Sequence, residues 1–130
     1  MIYFDQVSKL YTGGHTALDK VTLSIAPKEF VSIVGHSGAG KTTLIKMLLA
    51  EDIPTQGGVF FESSDIHGFR RPQLNSFRRR IGTVFQDFRL LPNKTAYENI
   101  AFAMEAAGKS DEEIASDVPH VLELVDLGDK

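Results

Sequence analysis

No cysteine occurs anywhere in the chain, which excludes disulfides and cysteine-ligated zinc and is compatible with a reducing compartment. Nor is there a surplus of positive charge. The formal net charge is −3, so the chain as a whole has no electrostatic reason to bind nucleic acid or acidic lipid. The first residues, MIYFDQVSKLY, lack the basic-then-apolar order of a secretory signal. No apolar stretch approaches the ~18 residues that a membrane-spanning helix needs. FAMEAAG at 102–108, for example, is interrupted by Glu105. Work at a membrane would therefore need something else to hold the protein there. The few histidines stand at 15, 36, 67 and 120, with no metal-ligand spacing among them. Repeats and low-complexity linkers are also lacking. What remains is ordinary: 42% hydrophobic and 24% charged residues suffice for a buried core and argue against disorder. At 130 residues, this is one domain or a piece of one.

The first part of the chain alternates like sheet. Ile2 and Phe4 open one strand, and Val21, Leu23 and Ile25 alternate with Lys20, Thr22 and Ser24 in another, with Gly13 and Gly14 punctuating the connection. Pro27 and Lys28 read as a tight turn into FVSIV at 30–34, apolar enough for a central strand buried on both faces. Beyond it the period changes. Leu44, Ile45, Leu48 and Leu49 fall at helical spacing, Pro54 with Gly57 and Gly58 ends that region, and VFFE at 59–62 returns to strand. RRPQLNSFRRR at 70–80 predicts a short helix, and IGTVF at 81–85 another apolar strand. From 95 onward the pattern is helical. Thr95 with Glu98 and Ser110 with Glu113 have capping-box spacing, and Gly108 lies where the first helix should stop. Ile114, Val118, Val121, Leu122 and Val125 form an apolar stripe, and Pro119 should kink or restart that last helix.

Between strand FVSIV and the first helix stands GHSGAGKTT, in which Gly35-x-x-x-x-Gly40-Lys41-Thr42 matches the phosphate-binding loop in its required context of strand before and helix after. Glycines allow successive backbone N–H groups to turn inward as an anion nest, and the helix start adds its positive end. On this reading Gly35, His36, Ser37, Gly38, Ala39 and Gly40 cradle phosphates through their backbone. Lys41 reaches the β and γ phosphates as a point charge, Thr42 ligates Mg²⁺, and Thr43 touches an α-phosphate oxygen. A turn that merely joins strand to helix needs neither lysine nor hydroxyl, so nucleotide binding is the better reading. His36 is expected to point its side chain outward.

Tyr11 follows the first strand, and Gln86 ends strand IGTVF ahead of the irregular stretch DFRLLPNKT. With the loop, these features resemble the nucleotide-binding subunits of ATP-binding cassette (ABC) transporters, along the whole chain. The resemblance implies an α/β P-loop NTPase core: an antiparallel β subdomain, a strand–P-loop–helix unit, and the start of a helical subdomain. It divides the chain into 1–94, the β subdomain and ATP-binding core, and 95–130, the beginning of the helical part. It implies that Tyr11 stacks on adenine and that Gln86 reaches Mg²⁺ and the attacking water. ATP and Mg²⁺ are the implied cofactors, Lys41 and Gln86 the implied catalytic residues in this chain, and Thr42 and Gln86 the implied metal ligands. It further implies a homodimer around ATP and a transmembrane partner at the cytoplasmic side of a bacterial membrane. GHSGAGK together with VFQDFRLLPNKTAYENIAFAME is most similar to the cell-division branch of the family, which controls septal peptidoglycan hydrolases. The lipoprotein-release and macrolide-export branches have similar segments.

The likeness is incomplete. Pro27-Lys28-Glu29 stands where the family usually has Pro-Gly-Glu, so a turn with positive φ at its centre would strain Lys28. Ser64 replaces a commonly seen glycine, and Pro119 has no functional account. The signature motif, the Walker B strand ending in Asp-Glu and the switch histidine do not occur between 87 and 130. The expectation is an N-terminal part of a longer ATPase, able to hold nucleotide at most and unable to hydrolyse it. Arg70, Arg71, Arg78, Arg79 and Arg80 form a basic cluster without interleaved aromatics, read as a solvated helix face before nucleic acid, with anionic lipid or a membrane partner still open. Phe88, Leu90, Leu91 and Pro92 form an apolar loop that reads equally as local core or as a docking groove for a membrane subunit's helix. A nucleotide-dependent recruitment module is the rival to a working ATPase. A guanine-specific enzyme is disfavoured because Asn93-Lys94-Thr95 lacks the aspartate of the guanine-reading motif.

Overall fold

The alternation at the start of the chain becomes two long antiparallel strands, β1 (Ile2–Leu10) and β2 (Thr16–Ile25). The computed structural model describes residues 1–129, which form two compact units, one of residues 1–78 and one that begins at Arg79. In the first unit neither long strand keeps a strict two-residue period. Phe4 and Val7 are both fully buried, although positions three apart on an unbroken strand face opposite sides. Gln6, at φ 49°, supplies the irregularity, with the register slipping between Phe4 and Val7. Its N–H leaves the ladder for Oγ1 of Thr22 at 3.2 Å. Lys20 does the same for β2, with φ 46° and its N–H donating to Oγ of Ser8 at 2.9 Å.

The other edge of β1 pairs with β3 (Gln56–Phe61), and β4 (Ser64–Asp65) closes the sheet in the order β2-β1-β3-β4. Gly57, at φ 80°, is required where β3 meets the β1 bulge: a Cβ there would lie 2.3 Å from the Asp5 carbonyl and 2.4 Å from that of Gln6. Between the first and second pairs of strands runs α1 (Lys41–Leu48), which buries Leu44 and Met47. Helix α2 (Arg71–Arg78) buries Phe77, whose ring meets Phe61 and Phe69 edge-on at 5.2 and 5.8 Å. The arginines of the basic cluster are exposed, and Arg78 has a structural part besides. Its guanidinium donates to the carbonyls of Leu49 (3.1 Å) and Ala50 (3.0 Å), which the end of α1 leaves without helical partners.

The turn before the loop has the strain its sequence implies. The Glu29 N–H returns to the Ala26 carbonyl, with Pro27 at the second position and Lys28 at φ 65° in the third, the geometry of a type II turn. The predicted strand at 30–34 is not formed. These residues pair with no strand, and Phe30 and Val34 are 94% and 85% exposed. A strand buried on both faces needs a ladder partner and a covering layer. Within Met1–Arg78 the described strands supply neither to this segment.

In the second unit the predicted strand at 81–85 is likewise an unpaired segment, with Val84 96% exposed. The helices are as read. In α3 (Ala96–Ala107) Thr95 and Glu98 form a complete capping box and Gly108 ends the helix. In α4 (Asp111–Leu124) Ser110 and Glu113 form another. Pro119 does not restart the helix: α4 runs through it. Pro119 lies on the exposed side of the helix, while Ile114, Val118 and Leu122 are buried against Ile100, Ala101, Met104 and Leu127. Val121 and Val125 belong to the exposed side and not to the stripe, because an i, i+4, i+8 row is narrower than the sequence pattern suggested.

Candidate functional site

Residues 35–40 carry the chain into α1 with its first turn unblocked. The N-cap is Gly40, at φ 87°, and no side chain caps the helix or places an acid in its first turn. Helices α3 and α4 differ, each with a capping box and with Glu98, or Asp111, Glu112 and Glu113, at its start. The free N–H groups and positive end of α1 are therefore available to an anion. Gly40 is also a packing requirement. A Cβ there would lie 2.3 Å from the Ala17 carbonyl and 3.0 Å from the Leu18 side chain, so glycine lets the loop lie against β2.

The loop is folded on itself. The Ala39 N–H donates to the His36 carbonyl at 3.2 Å, and the His36 ring donates through Nδ1 to the Ser37 carbonyl at 2.7 Å. Lys41 turns its ammonium back onto the loop, donating to the carbonyls of Gly35 (2.6 Å) and His36 (2.8 Å). The cation is thereby held on neutral backbone acceptors, which bind an ammonium less strongly than an anion does. Thr42 is exposed and Thr43 half-buried in the first turn of the helix, and His36 is exposed.

Tyr11 lies at the tip of the β1–β2 hairpin, its N–H bonded to the His15 carbonyl at 2.9 Å, in the same unit as the loop. Its hydroxyl donates to Oδ2 of Asp52 at 2.8 Å. Asp52 also accepts from Lys9 and from the Ile53 N–H. The Lys9 hydrogen bond above all, helped by Tyr11 and Ile53, holds the Asp52 carboxyl below its ordinary range despite the opposing effect of burial. Sequence reasoning missed Lys9 and Asp52: two isolated charges distant along the chain carry no motif, and only the fold pairs them.

Gln86 lies in the second unit, exposed, at the start of the turn that follows the unpaired 81–85 segment. Phe88 and Arg89 both have positive φ in that turn, and the Arg89 guanidinium lies 3.7 Å from the centroid of the Phe85 ring. Asn99 ties the loop to α3, accepting from the Leu91 N–H at 2.8 Å and donating to the carbonyls of Leu91, Lys94 and Thr95. Phe88 is 75% exposed and Leu90 and Leu91 are also open, so this loop is not local core. With Phe102 they line an apolar hollow of about 450 Å³.

Comparison with known proteins decides the family. The pattern described as "ABC transporter" matches residues 18–130. The chain belongs to the ABC transporter family. This member is 44% identical over its whole length to the cell division ATP-binding protein FtsE of Bacillus subtilis, and 41% to that of Escherichia coli. It is 42% identical to a methionine import ATP-binding protein, MetN 1, of Pectobacterium atrosepticum. Among solved structures, the ATP-binding cassette MJ0796, described as dimeric and bound to ADP and Pi after hydrolysis, superposes with a TM-score of 0.84. That match covers 97% of this chain at 34% identity. The chain spans 57% to 59% of the length of the FtsE relatives and 57% of MJ0796. It therefore has the P-loop NTPase fold of ABC ATPases, in part of the length those proteins have. Tyr11 precedes the ABC transporter match but falls within the stretch shared with the FtsE relatives. No helix among the described residues is long and apolar enough to cross a membrane.

Proposed function

We propose that the full-length protein is an FtsE-like ATPase subunit. It would lie peripherally on the cytoplasmic face of a bacterial membrane and drive a transmembrane, FtsX-like partner in cell division and septal peptidoglycan hydrolase control. The observation that carries the ATP site is the uncapped start of α1 behind residues 35–40, with Lys41 held on the loop's own carbonyls. On this reading the backbone of Gly35, His36, Ser37, Gly38, Ala39 and Gly40 receives the phosphates. Lys41 moves from those carbonyls to the β and γ phosphates, and Thr43 meets the α-phosphate. Tyr11 stacks on adenine. Among the described residues no group of three or more acidic or histidine side chains is placed to hold a metal. Thr42 and Gln86 nevertheless offer hard oxygen donors of the class Mg²⁺ takes when nucleotide phosphates complete its shell. When bound, Mg²⁺ supplies neutralisation of phosphate charge.

Residues 1–94 form the nucleotide-binding part on this proposal and 95–130 open the helical part. The exposed Phe88 and Leu91 receive a helix of the membrane partner. Two copies close around ATP, in keeping with the dimeric description of MJ0796. The FtsE relatives, matched over the whole chain, support the cell-division assignment. The 42% identity to a methionine import ATPase supports a second reading, in which the partner is an importer's membrane subunit. The lipoprotein-release and macrolide-export readings lie in the same class of partner. Capturing the membrane partner with the full-length protein separates them.

In the full-length protein, Lys41→Ala should abolish or severely reduce ATP binding and turnover, and unchanged turnover would sink the loop assignment. A variant that binds ATP without hydrolysing it separates motor from recruitment module. Full support of division by that variant would favour recruitment.

A further inference from the structure

A cluster in the same unit as the loop is given no part in phosphate binding. Lys9 follows the buried Val7 by two positions on β1 and so turns toward the interior, where its side chain is only 13% exposed. An ammonium taken out of water needs a counter-charge. Asp52, in the connection between α1 and β3, provides it at 2.5 Å, and the Ile53 carbonyl accepts a further Lys9 hydrogen bond at 2.8 Å. The second carboxylate oxygen of Asp52 takes the Tyr11 hydroxyl at 2.8 Å. The Asp52 backbone is held in turn, its carbonyl in contact with Nε2 of His67 at 3.0 Å.

Tyr11 is thus fixed at both ends, by its N–H to His15 and by its hydroxyl to Asp52. Lys9 sits 5.0 Å from the ring centroid over one face, so a flat ligand stacking on Tyr11 would take the opposite face. A hairpin-tip aromatic without such anchors would be free to turn, and stacking would then cost its rotational freedom. We propose that Asp52 is a positioning residue for the nucleotide base, which clamps the Tyr11 hydroxyl and the Lys9 ammonium so that Tyr11 presents one preset face to adenine. The inference rests on the reading of Tyr11 as the adenine contact and adds the group that orients it.

The test compares two probes on the full-length protein: a non-hydrolysable ATP analogue, and inorganic tripolyphosphate, which has the phosphates without the base. Tyr11→Phe keeps the ring and loses only the anchor, and Asp52→Asn weakens the clamp from the other side. Each should weaken the ATP analogue by roughly three- to tenfold, the scale of one hydrogen bond, and leave tripolyphosphate unchanged. The double variant should be no weaker than the worse single one, because both changes remove the same contact. If Tyr11→Ala loses affinity for the analogue while Tyr11→Phe and Asp52→Asn do not, the base reading stands and the positioning role is wrong. If Tyr11→Ala binds the analogue normally, the base reading fails and takes this inference with it. Equal losses for both probes in Asp52→Asn, with Tyr11→Phe unaffected, would make Asp52 a prop for the fold and also overturn the proposal.

Discussion

Single residues carry both the site and its local strain. Lys28 holds φ 65° in a turn whose third position suits glycine. The left-handed region costs a side-chain-bearing residue about 1–2 kcal/mol. Glycine returns up to about 1 kcal/mol of that as unfolded-chain entropy. Lys28→Gly should therefore stabilise the protein by roughly 0.5 kcal/mol, seen as a rise of about 2 °C in Tm; a fall would mean that Lys28 makes a contact worth more than the strain. The jobs proposed for Lys41, Thr42 and Thr43 rest on spacing alone, because a phosphate-binding loop uses those residue types at those offsets. Lys9 and Asp52 were not, since nothing in a sequence says which distant carboxylate a half-buried lysine will find. The capping contacts of Arg78 were hidden for a similar reason: its partners are backbone carbonyls, which every sequence has.

At the scale of elements, the helices were read well where the code is local. Both capping boxes are four-residue patterns and form as spaced. Glu98 shows their electrostatic side: hydrogen bonding from Lys94 first, and from the Thr95 N–H, lowers its pKa to about 2 from 4.5. A lowered folded-state pKa means that this contribution is present above about pH 4.5 and is lost as the pH falls toward 2. The protection of amides at the start of α3, taken relative to their intrinsic exchange rate at each pH, should fall across that window, less so in high salt because the pair is solvent-exposed. Glu98→Gln should remove the pH dependence, and its persistence would point to another group. Helix α4 tolerates Pro119 because the lost bond to the Ala115 carbonyl falls on the exposed side, away from Ile114, Val118 and Leu122. Pro119→Ala restores that bond without giving up buried contacts. Denaturant unfolding should register a gain of about 2 kcal/mol, less than the usual cost of an interior proline because the unfolded chain also loosens. A loss would show that the proline ring packs in a way its exposure hides.

At the scale of the whole molecule, the strands at 30–34 and 81–85 are where local reading failed. Their apolar runs are those of strands buried on both faces, yet Phe30, Val34 and Val84 are open to solvent. Because the chain spans 57% of the length of the B. subtilis FtsE relative, the proposal makes a sharp statement about residues 1–130 taken alone. They should release no phosphate from ATP above background in a steady-state assay, since neither an Asp-Glu pair ending an apolar run nor a signature motif lies among them. Sustained turnover by that piece would overturn the division of labour proposed here. The sequence by itself determined the phosphate loop, the helix boundaries and the sheet-rich beginning, because glycine placement, capping pairs and apolar periodicity act over a few neighbouring residues. Only the tertiary structure decided the bulges that bury Phe4 with Val7, the Arg78 cap on α1, the fate of the unpaired apolar segments and the Lys9–Asp52–Tyr11 clamp. Each of these depends on which distant segment supplies a partner, and pairing at a distance is a property of the folded chain.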